Sequence, residues 1–285
     1  MVEDLVVPEM WTSSFAYGWP YITGNVFASM SKVSLNYGQH GVLSLDAPTP
    51  WHFCKIDYIG QFIRGLDSHT PIVLVTANSD YSITDEYVDL VFSHQPIIRW
   101  FTTNPCTSHP KVTSIPLGLG NEGSRKSSDI GNIESTWTMR AVQDMNIKKE
   151  RLLFSSFDIE TNPDERGACS KAVGGVDGKR YPYPEFLQKL AGSMFCAAPV
   201  GNGIDTHRAW ESLYLKTVPI VTKSKLWDEH PDLPALVIDS WKDFDPSMIS
   251  EDKYAEITDG FDWQSLYMYR YARRMHALVT GKDAA

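Results

Sequence analysis

The residues best placed to do chemistry lie in one stretch, 195–211, which reads Phe-Cys-Ala-Ala-Pro-Val-Gly-Asn-Gly-Ile-Asp-Thr-His-Arg-Ala-Trp-Glu. An apolar strand runs into a loop holding Gly201, Asn202 and Gly203, and a helix opens after Asp205 or Thr206, either of which can cap it. Two glycines let a backbone approach a ligand closely. The first turn of a helix presents unpaired N–H groups suited to an anion. Arg208 adds a planar cation matched to phosphate oxygens, and Glu211, three residues on, projects from the same face. The chemistry this predicts is phosphate binding beside a carboxylate that accepts ribose hydroxyls. Plain turn chemistry with an Arg208–Glu211 ion pair fits the same spacing.

Other elements must hold this stretch in place. In the second half, apolar runs at 151–157, 194–198, 218–221 and 235–238 read as buried parallel strands. Helices are predicted from Asn162 or Pro163 to about Val173, over 184–191 and over 205–215. A long amphipathic helix is predicted over 261–278. Strands separated by helices predict a doubly wound α/β half. In the first half, 71–76, 96–101 and 112–115 read as strands, a helix follows Thr84, and 51–64 reads as a helix from Phe53, Ile56, Ile59 and Ile63. The Gly- and Ser-rich segment 118–132 reads as a linker or loop. The expected division is an N-terminal Rossmann-like domain over 1–132 and a C-terminal one over 133–285, with the last helix, 261–280, free to pack back on the first.

Phe195-x-x-x-Pro199-x-Gly201, then Arg208-x-x-Glu211, then Val218-Pro219-Ile220-Val221 resembles the C-terminal signature of exostosin-like glycosyltransferases. Gly203-x-x-Thr206-x-Arg208-x-Trp210 through the same strand also looks like the donor motif of α1,3-fucosyltransferases. The close resemblance spans 195–221. It implies a GT-B fold, two Rossmann-like domains facing across a cleft, and inverting, metal-independent sugar transfer. The donor would be a nucleoside-diphosphate sugar, GDP- or UDP-linked, and the acceptor a hydroxyl of a glycan or glycoprotein. Upstream, Asn162-Pro163-Asp164-Glu165-Arg166 is similar to an Asn-x-x-x-Arg stretch of fucosyltransferases. Carried over, Arg166 and Arg208 clamp the diphosphate and Asn162 supports the site. Where fucosyltransferases have Thr-Glu-Lys this chain has Thr206-His207-Arg208, and where they have Phe-Glu-Asn it has Ala197-Ala198-Pro199. A non-catalytic sugar- or nucleotide-binding module with a retained donor motif is the alternative.

An inverting transfer needs a general base for the acceptor hydroxyl. Asp80, after the strand 71–76, is the candidate, because a carboxylate there can be partly desolvated and raised in pKa. An Asx-turn or helix cap is the other reading of Asp80. Asn78 and Ser79 flank it on the acceptor side, and Trp100 could stack on a sugar face or pack in the core. His40, Asp46 and His94 are weaker rivals for the base.

Composition narrows the classes. The chain has 285 residues, 42% hydrophobic and 21% charged, with a net charge of −9, which disfavours nucleic-acid or anionic-membrane binding. Four widely spaced cysteines form no metal or redox motif, and there is no P-loop and no clear Asp-x-Asp pair of the kind metal-dependent transferases use. No cofactor and no metal are therefore expected. No apolar run approaches the length of a membrane span, and the expectation is a soluble, cytoplasmic protein.

Overall fold

The computed structural model describes residues 20–31, 33–36, 39–42, 51–66, 69–93, 96–121, 125–127, 131–133 and 135–281. The chain divides into two compact units, Met1–Leu117 with Tyr267–Ala285, and Gly118–Leu266. The division between Leu117 and Gly118 falls upstream of the 132/133 boundary expected from the sequence.

Among the described residues of the first unit, α1 (Gly24–Ser29) comes first, and its first turn is capped by the Thr23 hydroxyl. Next come β1 (Val33–Asn36), β2 (Gln39–Val42), β3 (Trp51–Lys55), α2 (Ile59–Gly65), β4 (Ile72–Ala77), α3 (Asp85–Phe92), β5 (Ile97–Thr102) and β6 (Val112–Ser114). The sheet order is β2-β1-β3-β4-β5-β6, parallel throughout except for the β1–β2 hairpin. β4 is buried at every position, as a strand covered on both faces must be. Its apolar core joins Leu74 and Trp100 to Ile59 and Ile63 of α2 and Val88 and Val91 of α3.

The helix predicted over 51–64 forms only in its second part. Residues 51–55 pair with β1 on one side and β4 on the other. The apolar positions that suggested helical spacing serve a strand as well, and two hydrogen-bonded neighbours outweigh local periodicity.

The second unit contains the hairpin β7 (Arg125–Ser127) and β8 (Gly131–Ile133), then α4 (Ser135–Asp144), β9 (Arg151–Phe154), α5 (Pro163–Ala172), α6 (Tyr183–Ala191) and β10 (Ser193–Ala197). It continues with α7 (His207–Tyr214), β11 (Val218–Thr222), α8 (Lys225–Glu229), β12 (Leu236–Ile238) and α9 (Glu251–Thr258). The segment 118–132, expected as plain linker, thus carries a short antiparallel pair. The main sheet is four parallel strands in the order β12-β11-β10-β9. That order runs in one direction without reversal, so this unit has Rossmann-like βαβ winding but not the doubly wound order the sequence suggested. Phe195, Ala197, Val218 and Ile220 alternate onto one face and pack with Cys169 of α5 and Tyr254 and Ile257 of α9.

The single helix predicted over 261–278 is interrupted. A 3-10 turn at Trp263–Leu266 belongs to the second unit, and α10 (Met268–Thr280) belongs to the first, where it packs against β5. Tyr267 is extended between them at φ −84° and ψ 162°.

Candidate functional site

The loop after β10 is closed on itself: Gly201 N–H donates to the Gly203 carbonyl at 3.1 Å. It is tied to the start of α5, which follows the neighbouring strand β9. Asn162 caps α5, its Oδ1 accepting from Glu165 N–H at 3.3 Å, while its Nδ2 donates to the Gly201 carbonyl at 3.0 Å. One asparagine therefore fixes both the helix entry and the glycine loop. Pro163 at the first helical position suits this entry, since it has no N–H to satisfy there.

Arg166 lies one turn into α5 and is 9% exposed. Its Nε donates to the Val200 carbonyl at 3.2 Å and its Nη1 to the Asp158 carbonyl at 2.8 Å. Gly201 is needed for this approach: a Cβ there would lie 2.8 Å from Arg166 Nη2. The requirement is one of space, not of a positive φ.

Arg208 comes from the first turn of α7, after β10. Its guanidinium carbon is 5.7 Å from the ring centres of both Phe157 and Phe186, and that of Arg166 is 5.9 Å from the same Phe157 ring. Phe157, just past β9, is thus a shared aromatic surface for two cations. Burial lowers the pKa of Arg166, and the charge of Arg208 lowers it further. Arg208 Nε is buried and makes no hydrogen bond. No carboxylate forms an ion pair with either guanidinium among the described residues. The half-exposed Asp158 carboxylate acts on Arg166 only at longer range. Two adjacent, partly desolvated cations with no ion-paired carboxylate are unfavourable for stability alone, and such an arrangement suits an anionic ligand. Phe157, Phe186 and Asp158 were not singled out from the sequence, because their role depends on packing that local spacing does not encode.

The other donor-side residues fall into two groups. Asn202 is exposed at the loop tip, and Gly201 and Gly203 are buried. Thr206 holds the N-cap conformation of α7, though its side chain makes no capping bond. Asp205 turns inward instead. Its carboxylate accepts from Thr206 N–H at 2.8 Å and from the Trp210 indole N–H at 2.8 and 3.0 Å, so it braces the helix entry. Repulsion would also disfavour an Asp carboxylate toward a phosphate. Glu211 is 2% exposed, so its carboxylate is not open to a ribose in this arrangement, contrary to the sequence expectation. His207, the first residue of α7, has Nδ1 2.7 Å from the Gly118 carbonyl.

In the first unit, Asn78 takes a left-handed conformation at φ 61° after β4, and its Nδ2 donates to Asn25 Oδ1 at 3.2 Å. Its Oδ1 occupies the space beside Gly24, where a Cβ would come within 1.7 Å. The Ser79 carbonyl accepts from Asn104 Nδ2 at 3.3 Å. Burial works to raise Asp57, but hydrogen bonds from Ser79 and Lys55 outweigh it and hold that carboxyl below its usual range. Asp80 is solvent-exposed, so the partial desolvation expected for a base is missing. Trp100 is 0% exposed and its indole N–H donates to Thr76 Oγ1 at 2.9 Å. An aromatic side chain enclosed in that way cannot stack on a sugar, and core packing replaces the acceptor-side role. Asp46 and His94 lie outside the described residues, as does the His40 side chain.

Cys54, Cys169 and Cys196 are buried thiols, and burial pushes Cys54 up to about 12 and Cys196 to about 11. Among the described residues no group of three or more His, Cys, Asp or Glu could hold a metal, and no helix is long and apolar enough to cross a membrane. No protein-family model matches the chain, and no curated protein matches it.

Proposed function

We propose that this protein is an inverting, metal-independent glycosyltransferase that moves a sugar from a GDP- or UDP-linked donor to a hydroxyl of a glycan or glycoprotein. In this reading Gly118–Leu266 is the donor half of a GT-B enzyme. The supporting observation is the pair Arg166 and Arg208, held on one Phe157 ring beside the Gly201 loop without a carboxylate partner.

The chemistry follows from the charge. Transfer expels a nucleoside diphosphate, and negative charge grows on its leaving oxygen as the glycosidic bond breaks. Preorganised cations aimed at that charge lower the barrier most, because they need no reorganisation at the moment of reaction. Arg166 is fixed at Nε and Nη1 by two carbonyls, which leaves Nη2 as its donor beside Gly201. Arg208 keeps an unused Nε donor. The backbone N–H groups at the start of α7 add partial positive charge on the same loop. Together these groups supply the neutralisation that a divalent cation supplies in metal-dependent transferases.

A melting-temperature panel with GDP, UDP, CDP and dTDP tests the reading, since a ligand that binds the folded state stabilises it by mass action. At least one diphosphate is expected to raise the melting temperature, with a smaller shift in Arg208→Ala at the same ligand concentration. No response to any of the four in the unaltered chain would contradict the assignment.

The exposure of Asp80 favours a second reading, a nucleotide- or sugar-binding module without transfer. Slow hydrolysis of the donor sugar, lost in Arg208→Ala, separates the two. A transferase hydrolyses its donor to some extent, whereas a module binds without turnover.

A further inference from the structure

We infer that Arg180 is a third phosphate-binding cation of the proposed diphosphate site, exchanging its partner Asp158 for a ligand oxygen when nucleotide binds. The inference rests on the reading of Arg166 and Arg208 as an anion site.

Arg180 and Arg166 converge on one residue. Arg180 Nη2 lies 2.9 Å from Asp158 Oδ2, while the Asp158 carbonyl accepts from Arg166 Nη1 at 2.8 Å. Asp158 directly follows Phe157, the ring that carries both site guanidiniums. The Arg180–Asp158 pair is itself weakly held, because the two side chains are 91% and 46% exposed and an exposed ion pair contributes little.

The segment that carries Arg180 is anchored on both sides, and Lys179 N–H also donates to Asp177 Oδ1 at 3.2 Å. Gly174 and Gly175 follow α5 at φ +77° and +115°, conformations that side-chain-bearing residues rarely adopt. Asp177 N–H then donates to the Ser155 carbonyl at 2.7 Å, which pins the segment to the end of β9. The Tyr181 hydroxyl donates to the Asp177 carboxylate, and the Lys179 and Lys189 ammonium groups lie 5.0 and 4.6 Å from the Tyr181 ring centre. Between these anchors, Gly178 has nothing near its Cβ position. The Arg180 side chain, 91% exposed, can therefore change rotamer without loss of the anchoring contacts.

Charge balance gives the motion a reason. A nucleoside diphosphate carries more negative charge at neutral pH than two guanidiniums neutralise, and Arg180 supplies the remainder. A bound phosphate, doubly accepting and desolvated, is the stronger partner for a guanidinium than an exposed carboxylate.

The test is calorimetric titration of UDP, GDP and inorganic pyrophosphate into the full chain and the variants Arg180→Ala, Asp158→Asn and Arg208→Ala. Arg180→Ala should weaken the diphosphates about tenfold, the loss of one charge-assisted contact. Asp158→Asn removes the competing carboxylate and keeps the backbone carbonyl that holds Arg166, so it should tighten them by about twofold to fivefold. Limited trypsin digestion gives an independent signal: nucleotide should slow cleavage after Lys179 and Arg180. If Arg208→Ala abolishes binding while Arg180→Ala binds like the unaltered chain and nucleotide leaves trypsin cleavage unchanged, the role of Arg180 is overturned and the site stands. If the unaltered chain binds none of the three probes, the site falls and the inference with it.

Discussion

Gly201 and Arg166 are packed so closely that a single added carbon on Gly201 would sit 2.8 Å from Arg166 Nη2. The guanidinium could retreat only by giving up the Val200 or Asp158 carbonyl, 3.2 and 2.8 Å away. Glycine loop and arginine thus form one unit, and the loop cannot be altered without moving the cation.

Gly201→Ala should accordingly fold, with a cost of about 1–3 kcal/mol for overpacking. Its main effect should be on the site, with diphosphate affinity reduced by about tenfold as Arg166 is displaced. Denaturant unfolding and calorimetry on the same preparation measure the two effects. A variant that binds as tightly as the unaltered chain would show that Arg166 is not held for the ligand.

Phe157 carries two guanidiniums and Phe186 carries one. Each cation–ring contact is worth about 0.5–2 kcal/mol depending on desolvation. Phe157→Leu should therefore weaken diphosphate binding more than Phe186→Leu. Comparing the two dissociation constants checks this, and the reverse order would mean that Phe157 is only a core residue.

Legibility in the sequence followed the range of the interaction. The start of α5 was readable because Asn162-Pro163 is a local capping signal, and the structure places the Asn162 cap there. Strands β4, β10 and β11 were readable from short apolar runs. Residues 51–55 were misread because their strand character comes from partners β1 and β4, remote in sequence. Trp100 was ambiguous for the same reason, since an aromatic in a central strand and one at a ligand face look alike until the covering helices are placed. α9 was missed because it is mostly polar and has no buried residue, although the Ser250 cap, accepting from Lys253 N–H at 3.0 Å, is a local signal that could have found it. The two site arginines were legible as cations. Their common ring and their lack of carboxylate partners were not, because both are facts of packing.

Lys149 offers a test by pH. Its Nζ donates to the Leu215 carbonyl at 2.9 Å and to Thr217 Oγ1 at 2.6 Å, and burial lowers its pKa from 10.5 to about 7. Between these values the unfolded chain holds the proton that the folded chain has lost, so the Lys149 contribution to stability rises with pH from about 7 toward 10.5. The buried cysteines, raised above 9.0 in the fold, act oppositely above that pH. The window for observing Lys149 is thus about pH 7 to 9. Stability curves for Lys149→Met should lack the rise in that window. Parallel pH dependences for the two proteins would refute the burial of a neutral amine.

Asp80 separates transfer from binding. If it is the base of an inverting transferase, Asp80→Asn removes sugar transfer and leaves donor affinity within about twofold, because general base catalysis acts on the transition state and not on donor binding. Transfer assays with a glycan acceptor panel and calorimetry on the same variant give both readings. Undiminished transfer would exclude Asp80 as the base.

The most direct measurement of the central claim is the affinity of UDP and GDP for the unaltered chain beside Arg208→Ala and Arg166→Ala. A charge-assisted phosphate contact is worth about 1.5–3 kcal/mol, so each substitution should weaken the preferred nucleotide by at least about tenfold. Unaltered affinity in both variants would contradict the account, because the two cations would then be held together for something other than a diphosphate.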